Sequence, residues 1–258
     1  MITIKNNGHK FMNEKRKKHE GYQNYLSEIK EGYGLKGLFH KIAKKNPHTL
    51  KIYQRLTNIS VKKLKDIPNI YQAKNILDIG CGSGDLIGYI KNYINDKANF
   101  YGIDLEKNSQ LLDFINFSNC DIDEMALPFP ENSFDTVISS FVIEHLKNPQ
   151  NLFNQAYKVL KKDGYFYCIT EYYISLFCPN YWNFYSDPTH VRPWTKRSLK
   201  TLAKMAGFKI YKVGVIRWWE FLPLLPLFPF LNLLSKSNFS FIPFELLGRT
   251  VYIIARKQ

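Results

Sequence analysis

The most informative stretch of this 258-residue sequence is Ile76-Leu77-Asp78-Ile79-Gly80-Cys81-Gly82-Ser83-Gly84-Asp85. The mostly apolar run that ends at Ile79 predicts a buried strand, the three glycines predict a tight turn, and helical periodicity follows over 85–94. A dinucleotide-binding turn would carry its third glycine one position later, at Asp85, and a P-loop would need Gly-Lys-Ser/Thr. The stretch therefore predicts a ligand-binding turn at the carboxyl end of a sheet strand, of neither of these two kinds.

The alternation of strand and helix continues along the sequence. Apolar runs predict strands, and periodic apolar residues predict helices that stop at Lys161–Gly164 and at Gly207. The predicted strands are 75–79, 99–103, 114–117, 135–141, 165–170, 209–216 and 250–255, and the main predicted helices are 85–94, 149–160 and 195–206. This alternation indicates an α/β domain with an open parallel sheet covered on both faces.

Acidic residues stand at the ends of the first three predicted strands. Asp78 lies beside the glycine turn, where a carboxylate would repel a pyrophosphate but would suit an ammonium group next to a sulfonium. Asp104 follows the second strand and can accept hydrogen bonds from both hydroxyls of a ribose. Asp121 follows the third strand and can accept from an adenine amino group, while the backbone N–H of Ile122 reaches a ring nitrogen.

In this pattern the chain resembles class I S-adenosylmethionine-dependent methyltransferases, over roughly residues 73–215, and among them those of surface-polysaccharide assembly. The matching segments are Leu77–Gly84, Gly102–Leu105, Cys120–Ile122, Leu127–Asp135, Val142–Leu146 and the helix 152–160 with Lys161–Gly164. The resemblance implies a Rossmann-like, seven-stranded, mostly parallel sheet with helices on both faces. It also implies that S-adenosylmethionine is the cofactor. One departure is visible, because the short interval between Asp104 and Asp121 leaves room for only a short second helix.

The resemblance also implies a role for each matching residue. The methionine part of the cofactor would lie on the glycine loop, whose residues are Gly80, Cys81, Gly82 and Gly84, next to Asp78. Asp104 would take the ribose, Leu105 would pack on adenine, and Asp121 with Ile122 would hold the adenine edge. Ser139 and Ser140, at the end of the fourth strand, would line the methyl channel.

Candidate bases lie after the fourth and fifth strands. His145 follows the fourth strand and can act as a base, or it can start the next helix with Glu144 and fix the loop around the cofactor. His190 and Asp187 lie in Tyr185–Thr195, a Pro-stiffened loop that we place over the acceptor mouth. His190 can be a base or an acceptor-binding residue, or it can brace the loop through Asp187. We expect catalytic roles for His145, His190 and Asp187, and we predict no metal site.

The acceptor loop also indicates the class of acceptor. Its Asp, His and Arg side chains follow the aromatic run Tyr172, Tyr173, Phe177, Tyr181, Trp182, Phe184 and Tyr185, a combination that suits a sugar or another polyhydroxylated ring. Asp187–Pro193 also resembles a stretch of methyltransferases that act on surface polysaccharides and glycolipids. We therefore expect O-methylation of a small-molecule, sugar or lipid-linked glycan acceptor.

The positive charge is concentrated in the first quarter of the chain. The net charge is +14, and residues 1–70 hold 16 of the 36 Lys and Arg residues but only 5 of the 22 Asp and Glu residues. Such a segment attracts phosphates, nucleic acid or an anionic membrane surface, unless it is only a solvated helical face. Nucleic acid is the less favoured partner, because Ser139-Ser140-Phe141 stands where base-amino methyltransferases carry Asn/Asp-Pro-Pro-Tyr/Phe. An RNA methyltransferase remains the alternative enzyme, and a non-catalytic, membrane-associated cofactor-binding protein is the alternative of another class.

An apolar insert, residues 217–248, separates the last two predicted strands. Residues 221–231 carry no polar side chain, and Pro223, Pro226 and Pro229 exclude a straight spanning helix. The insert can dip into a membrane interface with Trp218 and Trp219 at headgroup level, line a tunnel for a lipid-like acceptor, or pack on the domain or on a second subunit of a homodimer.

These features predict a two-part organisation. Residues 1–70 form a basic, partly helical arm or lid, and residues 71–258 form the methyltransferase domain with an acceptor-loop insert at 171–195. No secretory leader is predicted. The four scattered cysteines, Cys81, Cys120, Cys168 and Cys178, fit a reducing cytosol. We expect a cytoplasmic protein that is peripheral to the inner face of a membrane.

Overall fold

A computed structural model describes residues 58–179, 183–227, 229–230, 233 and 242–258. Ser60–Gln258 form one compact unit that contains the whole sheet. Residues 60–70, which the sequence assigns to the basic arm, therefore pack with the sheet. Residues 1–57 of that arm lie outside the described residues.

The described residues form one seven-stranded sheet of order β3-β2-β1-β4-β5-β7-β6. The strands are β1 (Asn75–Ile79), β2 (Asn99–Asp104), β3 (Ile115–Asn119), β4 (Phe134–Ser140), β5 (Leu160–Glu171), β6 (Lys209–Ile216) and β7 (Thr250–Arg256). Strands β1 to β5 are parallel to one another, and β7 runs antiparallel to both β5 and β6. The predicted Rossmann-like, mostly parallel sheet is confirmed.

The three main predicted helices form within one residue of their expected bounds, and a fourth, Ile242–Leu247, was not predicted. They are α1 (Asp85–Tyr93), α2 (Pro149–Val159), α3 (Lys196–Met205) and α4 (Ile242–Leu247), with 3₁₀ helices at Ile59–Asp66, Ile143–His145, Tyr173–Phe177, Phe184–Ser186 and Trp219–Leu227. Thr195 and Ser198 form a reciprocal capping box at the start of α3. Gly207, with φ of +93°, follows its end, since a left-handed residue stops a helix.

Both faces of the sheet are covered. One face packs against α2 and α3 in a core that includes Leu77, Val137, Phe153, Phe166 and Leu199. The other face meets the segment before β1: the Tyr167 hydroxyl donates to the Ser60 carbonyl (3.1 Å), and the Thr136 hydroxyl donates to the Asn69 side chain (3.0 Å). Helix α1 lies on this second face, with Lys91 Nζ 5.7 Å from the centre of the Phe100 ring.

Two predicted details are wrong. No second helix forms between β2 and β3, since residues 105–114 are turns and loop. Leu111 and Leu112 of that loop pack against α1 at Gly84 and Gly88. The predicted end of α2 is correct within one residue, but β5 begins at Leu160 and not at the predicted 165, so that Lys161–Gly164 belong to the strand. Within the described residues, no helix is both long enough and apolar enough to cross a membrane.

Candidate cofactor and active site

The glycine turn is held by backbone contacts on both sides. The N–H groups of Gly80 and Cys81 donate to the Ile103 carbonyl of β2 (2.8 and 3.0 Å). Gly80 has φ of +77°, and a Cβ at that position would lie 2.2 Å from Val142 Cγ2. Only glycine therefore fits where the turn meets the loop that follows β4.

Gly82 provides the opening of this turn. It has φ of +52°, and a Cβ built there meets no atom within 4 Å. Its N–H donates to Asp104 Oδ2 (2.9 Å), and Asp104 Oδ1 accepts from the Leu105 N–H (2.7 Å). The turn and the acidic end of β2 thus form one cradle, with the exposed Leu105 side chain beside it.

Asp78 is the unusual charge of the cradle. Its carboxyl is buried, and its Oδ1 has no hydrogen-bond partner among the described residues. Burial, reinforced by the charge of Asp104, raises the pKa of Asp78 to about 8. A cationic group placed here would stabilise the ionised carboxylate, so the cradle fits a ligand that carries ammonium and sulfonium charges. The Cys81 thiol beside it is buried, which raises its pKa.

The end of β3 completes the same edge of the sheet. Asp121 is buried and accepts from the Asp123 N–H (3.1 Å), and the Ile122 carbonyl accepts from Asn151 Nδ2 of α2 (2.7 Å). The Asp123 carboxylate accepts from the backbone N–H groups of Lys147 and Asn148 (3.0 and 2.7 Å). This loop is fastened to the one after β4, and the adenine-edge roles of Asp121 and Ile122 stay predictions.

Ser139 and Ser140 lie on opposite faces of β4. Ser139 is fully buried, and its hydroxyl has no partner within the part of the chain described. Ser140 is half-buried, with its hydroxyl 2.6 Å from that of Ser60. The lining roles of Ser139 and Ser140 stay predictions, and Ser140 also connects the sheet to the segment before β1.

The candidate bases come together at the ends of β4 and β5. The His145 and His190 rings lie 4.7 Å apart, centre to centre. His145 Nδ1 is 2.8 Å from the Thr189 hydroxyl, which donates to Asp187 Oδ1 (2.6 Å). Because that hydroxyl hydrogen is directed to Asp187, Nδ1 of His145 carries the proton and donates to Thr189. The lone pair of the neutral His145 imidazole is then on Nε2.

His190 is held in a similar way from the other side. Its Nδ1 lies 2.7 Å from the Phe184 carbonyl, which can only accept, so Nδ1 carries the proton. Nε2 of His190 lies 3.7 Å from Asp187 Oδ2. The predicted bracing of His190 by Asp187 is therefore weak as a direct contact, and the Phe184 carbonyl sets the ring orientation.

Glu144 forms the floor of this cluster. It is fully buried, with Oε2 accepting from the Thr170 hydroxyl (2.8 Å) and its backbone carbonyl accepting from the Val191 N–H (2.8 Å). Its Oε1 has no partner in the described part of the structure. Burial, with smaller contributions from Glu171 and Asp187, raises the pKa of Glu144 to about 8. The cluster thus has an acidic floor beneath two imidazoles.

Comparison with known proteins decides the family. A model of the methyltransferase domain matches residues 45–213, which is more than half of the chain. The chain belongs to this methyltransferase family. Its domain is a class I, S-adenosylmethionine-dependent methyltransferase domain with the matching strand order.

Individual relatives match this methyltransferase at low sequence identity. It is 29% identical to the malonyl-[acyl-carrier protein] O-methyltransferase of Marinomonas sp. over 44% of the chain, and 26% identical to the demethylmenaquinone methyltransferase of Listeria monocytogenes over 42%. These matches span 44% and 49% of the two relatives. A solved S-adenosylmethionine-dependent methyltransferase from Archaeoglobus fulgidus is 25% identical, with a TM-score of 0.56 over 85% of this chain and 98% of that one.

The apolar insert of the methyltransferase contains one buried and one exposed tryptophan. Trp218 is only 4% exposed, stacks on Phe221 with ring centres 5.5 Å apart, and lies under Lys62 Nζ (3.5 Å). Trp219 is 61% exposed and begins a 3₁₀ helix. The prediction that both rings lie at headgroup level is wrong for Trp218, because that ring anchors the insert to the domain.

Sequence reasoning missed the groups that orient the candidate bases. Thr189, the Phe184 carbonyl and Thr170 were not singled out, and Val142, which closes on Gly80, had no separate signal. Thr189 could have been found as the hydroxyl within Asp187–His190, since short Asp-x-Thr turns are typical of local side-chain to backbone bonding. Tyr181 and Trp182 of the predicted aromatic run lie outside the described residues.

Proposed function

We propose that this methyltransferase transfers a methyl group to an oxygen of a sugar or lipid-linked glycan. The observation that supports this most is the hydrogen-bonded series from His145 through Thr189 to Asp187, at the edge of the sheet where the glycine cradle also lies. Ordinary hydroxyls must lose a proton during methylation, and an oriented imidazole is a suitable group to accept it.

The cofactor supplies a methyl group activated by a sulfonium charge, and the chain supplies position and proton transfer. Asp187 holds the Thr189 hydroxyl, and that hydroxyl holds Nδ1 of His145, so that Nε2 of His145 is the atom able to receive the acceptor proton. Asp187 and Thr189 are positioning residues in this scheme. His190, with its Nε2 also available for a proton when neutral, is the second candidate to contact the acceptor.

The surroundings of this cluster support a polyhydroxylated acceptor. Tyr173 and Tyr185 are exposed, and the buried Trp194 lies beneath Arg192, whose guanidinium is 5.5 Å from the ring. Aromatic faces combined with Asp, His and Arg side chains suit the apolar faces and hydroxyl edges of sugars. The named relatives act on malonyl-[acyl-carrier protein] and on demethylmenaquinone, and the first name specifies O-methylation.

We also propose that the protein is cytoplasmic and works at an anionic membrane surface, where a lipid-linked acceptor would be found. The insert exposes apolar side chains beyond its Trp218 anchor, namely Trp219, Leu222, Leu225, Leu227, Phe230 and Leu233. The positive balance of residues 1–70 adds attraction to anionic lipids. The alternative is a homodimer in which a second copy of the chain covers the same apolar side chains. In that case, sedimentation should give twice the mass of one chain.

The direct test is transfer of a radiolabelled methyl group from S-adenosylmethionine to a panel of acceptors. The panel contains free oligosaccharides, lipid-linked oligosaccharides in anionic vesicles, and total tRNA and rRNA. We expect label in the glycan fractions, stable to mild base as an ether is. Label confined to RNA would overturn the glycan proposal and favour the RNA alternative, which the basic residues 1–70 support.

A further inference from the structure

We propose that Glu144, His145 and His190 form a binding site for one divalent transition-metal ion of the Zn²⁺ type. One ligand atom from each residue lies within 4.8 Å of the others. Two imidazoles and one carboxylate are a ligand set of catalytic zinc sites and of other first-row metals that keep positions open for a substrate. The site differs from the cofactor cradle and uses none of its residues.

The two imidazoles are oriented as metal ligands are. In proteins, a histidine that binds a metal usually donates its other ring N–H to a carboxylate, a backbone carbonyl or a water molecule. His190 donates from Nδ1 to the Phe184 carbonyl, and His145 donates from Nδ1 to Thr189, which is itself fixed by Asp187. In both rings, Nε2 is therefore the nitrogen that would bind the cation.

The two oxygens of the Glu144 carboxylate differ in their hydrogen bonding. Thr170 fixes Oε2 of Glu144, whereas the buried Oε1 has no partner in the described residues. A buried acceptor without a partner is unfavourable, and more so when it is charged. A cation shared with the two imidazoles would remove that cost. Asp187 Oδ2, 3.7 Å from His190 Nε2, adds further negative charge at the position.

To bind a metal, the three ligand atoms would have to move only slightly closer to one another. A metal at ~2.1 Å from each ligand atom in tetrahedral geometry brings those atoms to ~3.4 Å from one another. The loop that carries His190 is attached to the Glu144 backbone through the Val191 N–H (2.8 Å), so the ligands can approach without a change of topology.

The metal site deepens the proposed function, and only its use in methylation rests on that function. In the metal-bound form Nε2 of His145 is a ligand, so the ion replaces that nitrogen as the group that activates the reacting hydroxyl, and the proton passes to solvent water. An ion with open positions can hold two neighbouring oxygens of a sugar and lower the pKa of the hydroxyl that reacts. Binding of the ion can be measured with neither cofactor nor acceptor present. The two claims can therefore fail separately.

The test uses the tag-free full-length chain, stripped with a chelator and titrated with Co²⁺ followed by visible absorption and with Zn²⁺ followed by calorimetry. We expect one site per chain, with affinity reduced at least 100-fold in Glu144→Gln and in His190→Ala. The chain has four other histidines, all within residues 1–57, so His48→Ala serves as the matched control and should bind like the wild type. Unchanged S-adenosylmethionine binding shows that each variant is folded.

A second measurement needs no variant. In the Co²⁺-loaded wild type, the two Nδ1–H protons should appear as paramagnetically shifted, exchangeable proton resonances. Absence of a Co²⁺ band at millimolar metal, or equal binding by the wild type and both variants, would overturn the site. Metal binding without glycan methylation would contradict only the proposed acceptor, and metal-free methylation that depends on His190 would contradict only the metal.

Discussion

The Thr189 hydroxyl lies 2.8 Å from Nδ1 of His145, although the two residues are 44 positions apart in the chain. His145 follows β4 and Thr189 follows β5, so this contact joins the loops of two adjacent parallel strands. The same hydroxyl donates to Asp187 Oδ1 at 2.6 Å, which leaves it only the acceptor role toward His145. One side chain thereby sets the tautomer of the candidate base.

Thr189→Val tests this relationship. Valine keeps the shape but cannot accept from Nδ1 of His145, so we expect kcat to fall ~10–100-fold, which is part of the ~10²–10⁴-fold that a positioned general base contributes. KM should change little, and the pH dependence of kcat should shift. Thr189→Ser should restore most of the activity, because it restores the hydroxyl. Equal activity of the Val and Ser variants would contradict the positioning role.

Gly80→Ala and Gly82→Ala separate packing from ligand contact. At Gly80 the new methyl meets Val142 Cγ2 at 2.2 Å, and we expect a loss of ~2–4 kcal/mol of stability from overpacking and backbone strain. At Gly82 nothing lies within 4 Å, so only a strain of ~1 kcal/mol is expected. Denaturant unfolding measures both variants.

For cofactor binding, in contrast to stability, we expect the larger effect at Gly82. If the opening at Gly82 is where S-adenosylmethionine approaches the backbone, Gly82→Ala should weaken its binding by at least ~10-fold despite the intact fold. Calorimetric titration measures this, with the unfolding data of the preceding experiment as the control. Wild-type affinity in Gly82→Ala would exclude this approach.

Asp104→Asn tests the ribose contact. The amide nearly preserves the size of the side chain but removes the charge and one acceptor oxygen. A charge-assisted hydrogen bond contributes ~1.5–3 kcal/mol, so S-adenosylmethionine affinity should fall ~10–100-fold. The exposed Asp96→Asn serves as the charge-matched control and should bind like the wild type. An unchanged affinity for Asp104→Asn would remove Asp104 from the ribose site.

Asp78 should make the stability of the ligand-free protein depend on pH. Its folded pKa of about 8 lies above the ordinary pKa of 3.8 for an aspartate carboxyl, so the native state keeps a proton that the unfolded state has released. Stability therefore falls as pH rises towards and through 8. The fall is ~1.4 kcal/mol for each pH unit between about 4 and 8 and it ends above 8, where the native carboxyl is ionised too, so from pH 6 to pH 9 the wild type should lose ~3 kcal/mol relative to Asp78→Asn. Thermal melts at pH 6 and 9 measure the difference. Parallel curves for the two proteins would show that Asp78 does not retain the proton.

The exposed part of the insert should carry membrane binding. We expect Trp219→Ser combined with Phe230→Ser to reduce co-sedimentation with anionic vesicles by ~10-fold or more, since both side chains are exposed and apolar. Trp218→Ser should instead lower the melting temperature, because that ring is buried under Lys62 and against Phe221. Undiminished vesicle binding by the double variant would move the membrane contact to another part of the chain.

Local patterns predicted most of the fold. The seven strands were expected within a few residues of where they lie, because a run of apolar side chains records burial directly in the sequence. The glycine turn could also be predicted, since Gly80, Gly82 and Gly84 all adopt a positive φ, which other residues avoid. The loop in place of a helix between β2 and β3 could not be predicted, because the buried Leu111 and the half-buried Leu112 pack on the start of α1 without helical periodicity of their own.

The candidate site depended on long-range contacts. Composition and motif order singled out His145, Asp187 and His190, but no sequence pattern states which atoms of these side chains face one another. That depends on β4 and β5 being adjacent and parallel, which places their following loops at one edge of the sheet. Asp78 Oδ1 and Glu144 Oε1, which have no hydrogen-bond partner among the described residues, are buried for the same reason. Burial and hydrogen-bond satisfaction depend on all surrounding elements, whereas strand, turn and helix signals depend only on near neighbours in the chain.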